Sequence, residues 1–352
     1  MKLKYLLISI AFINSVNVYA CSKMTNNFGH QGVFTARTMD LCVDLPYDIA
    51  IYPRGMKENG GVSSGKSLAW DSKYASIMVR ELSDSTKADV DGVNEKGLAV
   101  NLLYLDGTKY ETRNLDKPGV LMVKWAKYVL DNYQNVNEVI KNLNSYQIVN
   151  EAIKIGGKNI DFPIHFSIED TKGDNAVIEL INGKVVVYHG SKYNILTNEP
   201  SYDKQLSNLS EIQKTTNYSA ANLPGGANSM NRFVRSYYFS HNMPQKPLDK
   251  SSAVSNMYSA ISGVFTPYGE DYKKNCSLAG GSGEVADVWP TQWATVTDQS
   301  NKVLYILDGK TGNQISVKLG NFNTNVGQPV RTINLQKVNF NIDATDMFKS
   351  NS

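Results

Sequence analysis

The chain has 352 residues, of which 41% are hydrophobic, and a formal net charge of +3 from 36 basic and 33 acidic side chains. This near-neutral balance argues against a nucleic-acid partner, because nucleic-acid-binding proteins concentrate positive charge. After the first twenty residues there is no second long apolar run, so the composition predicts one large domain without a membrane span.

The start of the chain resembles a secretory signal peptide. Two early lysines are followed by an apolar stretch at residues 5–13, and the small residue Ala20 fits a cleavage site. We therefore expect residues 1–20 to be a signal peptide and residues 21–352 to form a single domain. The expected location is the periplasm or the exterior.

The chain opens after residue 20 with two β-like runs separated by a polar turn at residues 26–30. We expect a hairpin that brings Cys21 beside Arg37 and Asp40. Further strands are predicted at residues 49–52, 75–79 and 98–104.

A segment rich in Gly and Ser, residues 60–67, matches the phosphate-binding pattern GxxxxGK[ST]. That site requires a strand leading into the loop and a helix leaving it, so that amides face the phosphate. The flanking residues are turn-like before the segment and soon β-like after it. We interpret the segment as a surface loop without a nucleotide.

Two helices are predicted from apolar residues at i, i+3, i+4 and i+7 spacing, with Pro118 near the start of the first. Asn182 and Gly183 are typical of a tight hairpin turn between two later strands. The pattern lacks regular β-α alternation, which predicts an α+β fold with antiparallel sheets. The later elements are helices near residues 121–129, 136–143 and 232–240, and strands at residues 164–168, 176–181, 185–188, 294–297 and 303–307.

The three cysteines are Cys21, Cys42 and Cys276, an odd number for an exported protein. If Cys21 is reactive, Cys42 and Cys276 are left either as a disulfide or as two buried thiols, and both alternatives stay open. The four histidines show no metal-binding spacing, so we expect neither a metal nor another cofactor.

A cysteine at the first position of a mature chain carries its own base. Its free α-amino group has a pKa of about 7.7–8.0, which suits it to accept the thiol proton without a histidine. The alternative is a lipoprotein in which both the thiol and the amine of Cys21 carry acyl chains, and this protein would bind rather than cleave. Val18 and Tyr19 fit a lipoprotein cleavage site poorly.

The sequence resembles the choloylglycine hydrolase and penicillin V acylase family, whose mature chains begin with Cys and carry Arg and Asp at the spacing of Arg37 and Asp40. The resemblance extends over most of the chain after residue 20. The matching segments are residues 21–23, 35–40, 91–98, 196–200, 223–225 and 231–235.

This resemblance implies an Ntn-hydrolase αββα four-layer sandwich with two antiparallel sheets, and hydrolysis of a linear amide through an acyl-thioester. Cys21 would be the nucleophile and, through its amine, the base. Asp40 would hold that amine, and Arg37 would favour the thiolate. The remaining site residues implied are Asn198 and the backbone N–H of Tyr104, as oxyanion donors, and Arg232 in the polar cluster near the cysteine.

The substrate expected from the resemblance is a small amide with an apolar or aromatic acyl group. Tyr104 stands where bile-salt hydrolases usually carry Asn, and residues 52–56 and 289–293 resemble the Gram-negative branch, although Leu41 replaces a frequent Trp. This favours penicillin V or an acyl-homoserine lactone over bile salts. A homo-tetramer remains one alternative, although the segment between Asn198 and Arg232 is shorter than in the tetrameric bile-salt hydrolases.

Overall fold

Two large antiparallel sheets face each other in the computed structural model, which describes residues 20–84, 86–155, 157–215, 217–269 and 289–337. Most of the predicted signal peptide and Cys276 lie outside the described residues. Strands and helices are numbered in chain order.

The first sheet has six strands, and the described chain starts on β1, the strand next to one edge. Residues on β2 and β17 are buried along their whole length, because both faces of these strands are covered. The outer strand β19 instead alternates between exposed and half-buried residues. In spatial order the strands are β16 (Ile195–Leu196), β1 (Ala20–Asn27), β2 (Val33–Asp40), β17 (Thr291–Asp298), β18 (Val303–Asp308) and β19 (Gln314–Lys318).

The second sheet has eight strands. Their order is β15 (Lys184–His189), β14 (Asn175–Ile181), β13 (Ile164–Glu169), β8 (Ala99–Tyr104), β7 (Lys87–Asn94), β6 (Ser76–Leu82), β3 (Tyr47–Tyr52) and β20 (Arg331–Ile333). Three small two-stranded sheets add β4 (Lys57–Asn59) with β5 (Ala69–Asp71), β9 (Gly119–Leu121) with β10 (Gln147–Val149), and β11 (Ile153–Ile155) with β12 (Lys158–Ile160).

Helices cover the outer faces of both large sheets. One helix packs on β7 and β8 of the second sheet, and two others pack on β1, β2 and β17 of the first. The layers are therefore helix, sheet, sheet, helix, which confirms the predicted αββα arrangement. The helices are α1 (Met122–Asn132) on the second sheet, α4 (Ser229–Asn242) and α5 (Lys250–Ser262) on the first, α3 (Tyr202–Thr215) beside α4, and α2 (Val136–Asn142).

The predicted strands are confirmed to within a few residues. Asn182 and Gly183 have φ values of 52° and 73° at the turn between β14 and β15, as a two-residue hairpin turn with positive φ at both positions requires. The placement of Pro118 at a helix start is wrong, since the short strand β9 follows it and α1 begins only at Met122.

The loop at residues 60–67 connects β4 to β5, which pair with each other in an antiparallel hairpin. No helix follows it, and most of its residues are exposed. This confirms the interpretation as a surface loop, because the amides are not gathered at a helix N-terminus.

Cys42 is disulfide-bonded, whereas Cys21 is a free thiol. The alternative of a buried thiol at Cys42 is therefore wrong. None of the helices in the described parts of the chain is long and apolar enough to cross a membrane.

Candidate active site

The hairpin of β1 and β2 brings the predicted site residues together. Cys21 pairs with Met39, and Arg37 pairs with Lys23 two residues along the hairpin. The Cys21 Sγ lies 3.9 Å from the Met39 Sδ and 4.0 Å from the Asp40 carbonyl oxygen, and Cys21 is only 4% exposed. The hairpin predicted from the sequence is confirmed, and with it the proximity of Cys21 to Arg37 and Asp40.

Successive residues of this hairpin point to opposite sides of the first sheet. Arg37 points towards the second sheet, where its guanidinium donates to the carbonyls of Leu102 at 2.5 Å and Val90 at 3.2 Å. Ser22 points the other way, towards α4, where its Oγ accepts from Arg232 at 2.8 Å. Because strand side chains alternate between faces, the site receives groups from both neighbouring layers.

Asn198 follows β16 and contacts Cys21 directly. Its Oδ1 accepts from the Cys21 nitrogen at 2.6 Å, and its Nδ2 donates to the Tyr104 carbonyl at 2.8 Å. In this structure Ala20 precedes Cys21, so that nitrogen belongs to a peptide bond. Asn198 thus connects Cys21 on one sheet with Tyr104 on the other.

The backbone around Asn198 is held by buried polar side chains. Ser229 Oγ accepts from the Asn198 nitrogen at 2.9 Å, and Gln205 Nε2 donates to the Asn198 carbonyl at 3.3 Å. His165 Nε2 lies 2.8 Å from the Thr197 carbonyl. These contacts fix the Asn198 amide in one orientation relative to Cys21.

Arg232 on α4 is fully buried and binds three groups of the site. Its guanidinium donates to the Cys21 carbonyl at 2.5 Å, to Ser22 Oγ at 2.8 Å and to Asn198 Oδ1 at 2.9 Å. Burial lowers the pKa of Arg232, and the charges of Asp40 and Cys21 oppose this shift. The predicted place of Arg232 beside the cysteine is confirmed.

The positive charges of the site act on the thiol. Burial raises the pKa of Cys21, while the charges of Arg37 and Arg232 lower it. The Arg37 guanidinium lies 4.8 Å from the ring centroid of Trp293, an attractive arrangement of cation and aromatic face. Arg37 therefore sits where a fixed charge favours the thiolate.

One carboxyl oxygen of Asp40 has no hydrogen-bond partner within the described part of the chain. Its Oδ2 accepts from Thr38 Oγ1 at 3.0 Å, whereas Oδ1 is buried and has no partner there. Burial raises the pKa of Asp40 to about 7, against the opposing charge of Arg232. The predicted bond from Asp40 to the Cys21 nitrogen is not formed while that nitrogen is a peptide nitrogen, which has a single proton and gives it to Asn198.

A largely apolar cavity of about 690 Å³, including space open to solvent, adjoins Cys21 between the two sheets. Tyr104 and Trp289 form part of its wall with ring centroids 6.5 Å apart, and Leu41 lines it as well. Tyr52 is absent from this lining and belongs to a separate buried cluster with Arg80. Two aromatic segments, residues 52–56 and 289–293, were singled out in the sequence. Only the second contributes to the cavity wall, through Trp289.

One contributor, Glu81, was missed by sequence reasoning. Glu81 lines the cavity from β6, and Trp293, buried on β17, donates from Nε1 to Glu81 at 2.8 Å. Arg80 directly precedes Glu81 in β6, so the acidic residue does not stand out from its strand in the sequence. Its partner lies on the other sheet, and sequence spacing does not reveal how two sheets stack.

In the described ranges of the chain, no three or more His, Cys, Asp or Glu side chains are grouped so that they could hold a metal ion. The Cys21 thiol is instead surrounded by two guanidinium groups, a carboxyl group and an amide.

A family profile described as linear amide C–N hydrolases, choloylglycine hydrolase family, matches residues 21–330. This match covers most of the chain and begins at Cys21. The chain belongs to the choloylglycine hydrolase family. It is accordingly a hydrolase of linear amide C–N bonds with the Ntn-hydrolase fold, as the sequence predicted.

Relatives within this family include two kinds of amidase. The chain is 32% identical to a penicillin V acylase of Pectobacterium atrosepticum over 82% of this chain and 77% of that protein. It is 26% identical to a bile salt hydrolase/transferase of Lactiplantibacillus plantarum, over 74% of this chain and 84% of the other. The structure of penicillin V acylase from Agrobacterium tumefaciens superposes with a TM-score of 0.76 at 28% identity, covering 89% of this chain and 91% of that one.

Proposed function

We propose that the protein cleaves linear amides with an apolar or aromatic acyl group, using Cys21 as nucleophile after removal of residues 1–20. The observation that carries this proposal is the apolar cavity adjoining Cys21, where Arg37, Asp40 and Arg232 surround the thiol. Apolar pockets with a few convergent polar groups are typical of sites for small molecules.

Removal of the leader would turn the Cys21 nitrogen into an amine. A free α-amine of pKa about 7.7–8.0 can accept the thiol proton and has donors beyond the one now given to Asn198. The unpaired Oδ1 of Asp40 is the acceptor we assign to one of them. This contact would orient the amine as the base of the reaction.

In the proposed reaction the Cys21 thiolate attacks the amide carbonyl carbon, and the carbonyl oxygen becomes an oxyanion. Asn198 Nδ2 has two N–H groups, and the Tyr104 carbonyl takes one of them. The other, with the backbone N–H of Tyr104, would donate to the oxyanion. The C–N bond then breaks, the leaving amine takes the proton from the α-ammonium group, and water hydrolyses the thioester to the free acid.

The preferred substrate class is proposed from the cavity wall and the relatives. The aromatic rings of Tyr104 and Trp289 suit a phenyl-bearing acyl group, as in penicillin V, and the similarity to two penicillin V acylases points the same way. Acyl-homoserine lactones and conjugated bile salts are the other amides to compare. The signal-like start of the chain supports export to the periplasm or exterior.

A panel of penicillin V, an acyl-homoserine lactone and a glycine-conjugated bile acid tests this function. We expect purified processed protein to release acid from penicillin V fastest, and the Cys21→Ala variant to be folded but inactive. Cys21→Ser is the matched comparison, since it replaces the thiol by a hydroxyl group of similar size. Full turnover by Cys21→Ala would refute the proposed nucleophile.

Mass spectrometry of the mature N-terminus separates the enzyme from the lipoprotein alternative. A chain that begins with unmodified Cys21 supports the proposal, because both the thiol and the amine are then available. An added diacylglycerol and acyl group would rule it out, since lipidation consumes both reactive groups. Size-exclusion chromatography with light scattering would show whether the protein is a homo-tetramer.

A further inference from the structure

The cavity contains a carboxyl group that the proposed reaction does not use. Glu81 lies on β6 of the second sheet, opposite the sheet that carries Cys21, and is 7% exposed. Its Oε1 accepts from Trp293 Nε1 at 2.8 Å. Among the described residues no donor reaches the other oxygen, Oε2, although Glu81 lines the cavity.

The apolar surroundings of Glu81 make a buried carboxyl group energetically unfavourable. Ala88, its neighbour across the strand pair, and Val90 are apolar residues of the same cavity wall. Burial raises the pKa of Glu81 to about 7, with partial compensation by the Trp293 hydrogen bond and the charge of Arg37. A buried carboxyl with an unsatisfied oxygen costs free energy unless another group binds it.

Support of Trp293 does not explain the choice of an acid. The indole N–H needs a single acceptor, which the side-chain oxygen of Gln would provide equally well without a charge. What distinguishes Glu is the second acceptor oxygen, on a side chain that lines the same cavity as Cys21.

We propose that Glu81 is a specificity-determining residue whose Oε2 accepts a hydrogen bond from a hydroxyl group carried by the acyl part of the substrate. The inference rests on the proposed function, because it takes the cavity as the acyl site. Among acyl groups of matched size, the phenoxyacetyl group of penicillin V included, the protein then favours those that bear one hydrogen-bond donor over analogues without it.

The test compares two amides of p-nitroaniline that differ in one group, 4-hydroxyphenylacetyl and 4-methoxyphenylacetyl. We expect kcat/KM of the wild type to favour the hydroxyl substrate by about tenfold or more, because only the hydroxyl can donate to Oε2. In Glu81→Gln the Trp293 acceptor remains, but an N–H₂ group replaces Oε2 and can donate to the oxygen of either substrate, so the preference should fall to within about twofold. Equal preference in wild type and Glu81→Gln would overturn the proposal.

Asp91→Asn is the matched control for an indirect effect through Arg37. Asp91 is a buried carboxyl on β7 that also feels the Arg37 charge and accepts from Thr295 Oγ1 at 2.7 Å, but it does not line the cavity. We expect Asp91→Asn to keep the ratio of the two substrates. If Asp91→Asn and Glu81→Gln change the ratio equally, Glu81 acts only through Arg37 and the proposal fails.

A binding measurement separates this inference from the proposed function. Calorimetry on Cys21→Ala compares 4-hydroxyphenylacetate with 4-methoxyphenylacetate, with and without Glu81→Gln. A binding preference for the hydroxyl compound that depends on Glu81 supports the inference, even if no amide is hydrolysed. The absence of hydrolysis would refute only the proposed function. Hydrolysis of both amides without any Glu81-dependent preference would refute only the inference.

Discussion

At the scale of single residues, Arg232 contacts several groups of the site. Its sequence context gives no indication of these contacts. Its rigid guanidinium reaches the Cys21 carbonyl, Ser22 Oγ and Asn198 Oδ1, which come from two different chain segments. A lysine has the charge but not the planar arrangement of donors, so it cannot make all three contacts at once.

The first prediction concerns Arg232→Lys. We expect kcat to fall roughly 100-fold, because loss of the shared contacts displaces Cys21 relative to Asn198, and a misplacement of about 1 Å costs that much. Arg235→Lys is the control, since Arg235 lies on the same helix and donates instead to the carbonyls of Pro224 and Gly226. Steady-state kinetics that show equal losses in both variants would contradict the role of Arg232.

The second prediction concerns Asn198→Ala. The variant loses the amide proposed to stabilise the oxyanion, and removing such a donor typically lowers kcat about 10²- to 10³-fold. Ser207→Ala, an exposed position on the neighbouring α3, serves as the control and should retain wild-type kcat. Near-normal turnover by Asn198→Ala would show that the oxyanion lies elsewhere.

The third prediction concerns pH and Glu81. Its folded-state pKa of about 7 exceeds the ordinary value of 4.5, mainly through burial, so between these values the folded chain retains a proton that the unfolded chain releases. The free energy of unfolding therefore decreases as pH rises from about 4.5 to 7, by on the order of 3 kcal/mol. Urea titrations at pH 4.5 and 8 measure this decrease in the free energy of unfolding. In Glu81→Gln the decrease should be smaller by on the order of 3 kcal/mol.

At the scale of elements, the strands with strong β-like runs were predicted, whereas β7, several short strands and two helices were not. Strong β-like runs and the Asn182-Gly183 turn report local preferences, and the structure follows them. α5 has buried residues at helical spacing, but several serines dilute the pattern, and α3 is polar over most of its surface. Such helices form mainly because a neighbouring layer covers their few apolar side chains.

Only the site residues that belong to a family motif could be predicted from the sequence. Arg37, Asp40, Asn198 and Arg232 were found through a pattern shared with a family, and the structure gathers them around Cys21. Glu81 belongs to no such motif. Its place beside the cavity depends on how two sheets stack, which no local spacing encodes.

A fourth prediction separates helix stability from helix function. Asn228 caps α4, the helix that carries Arg232, by accepting from the Asn231 nitrogen at 2.9 Å, and Asn135 caps α2 by accepting from Glu138 at 3.0 Å. Replacing either Asn by Ala should cost about 1 kcal/mol in chemical denaturation. Only Asn228→Ala should also lower kcat, and a comparable loss of kcat in Asn135→Ala would contradict this assignment.

At the scale of the whole molecule, the two sheets are joined by a buried ion pair. Lys23 on β1 lies 3.0 Å from Glu169 on β13, and neither side chain is exposed. Burial lowers the pKa of Lys23, and the Glu169 charge opposes that change. Asn101 Nδ2 donates to the second Glu169 oxygen at 2.6 Å, so the carboxylate has partners on both of its oxygens.

The fifth prediction tests this pair. Lys23→Met should destabilise the fold by about 3–5 kcal/mol, because it leaves the Glu169 charge buried without its partner. The double variant Lys23→Met, Glu169→Gln should recover much of that loss, since no charge then remains to be compensated. Denaturation curves that show additive losses would mean that the two side chains do not act as a pair.

The position of β1 has a further consequence for the thiol that we propose as nucleophile. Polypeptide ends usually fray, yet β1 lies between β16 and β2, and a chain beginning at Cys21 would start within a strand that is bonded on both edges. Folding would then have immobilised the Cys21 sulfur, and little rotational freedom would be left to lose when an amide binds. A chain terminus held inside a sheet in this way would be suited to attack a substrate.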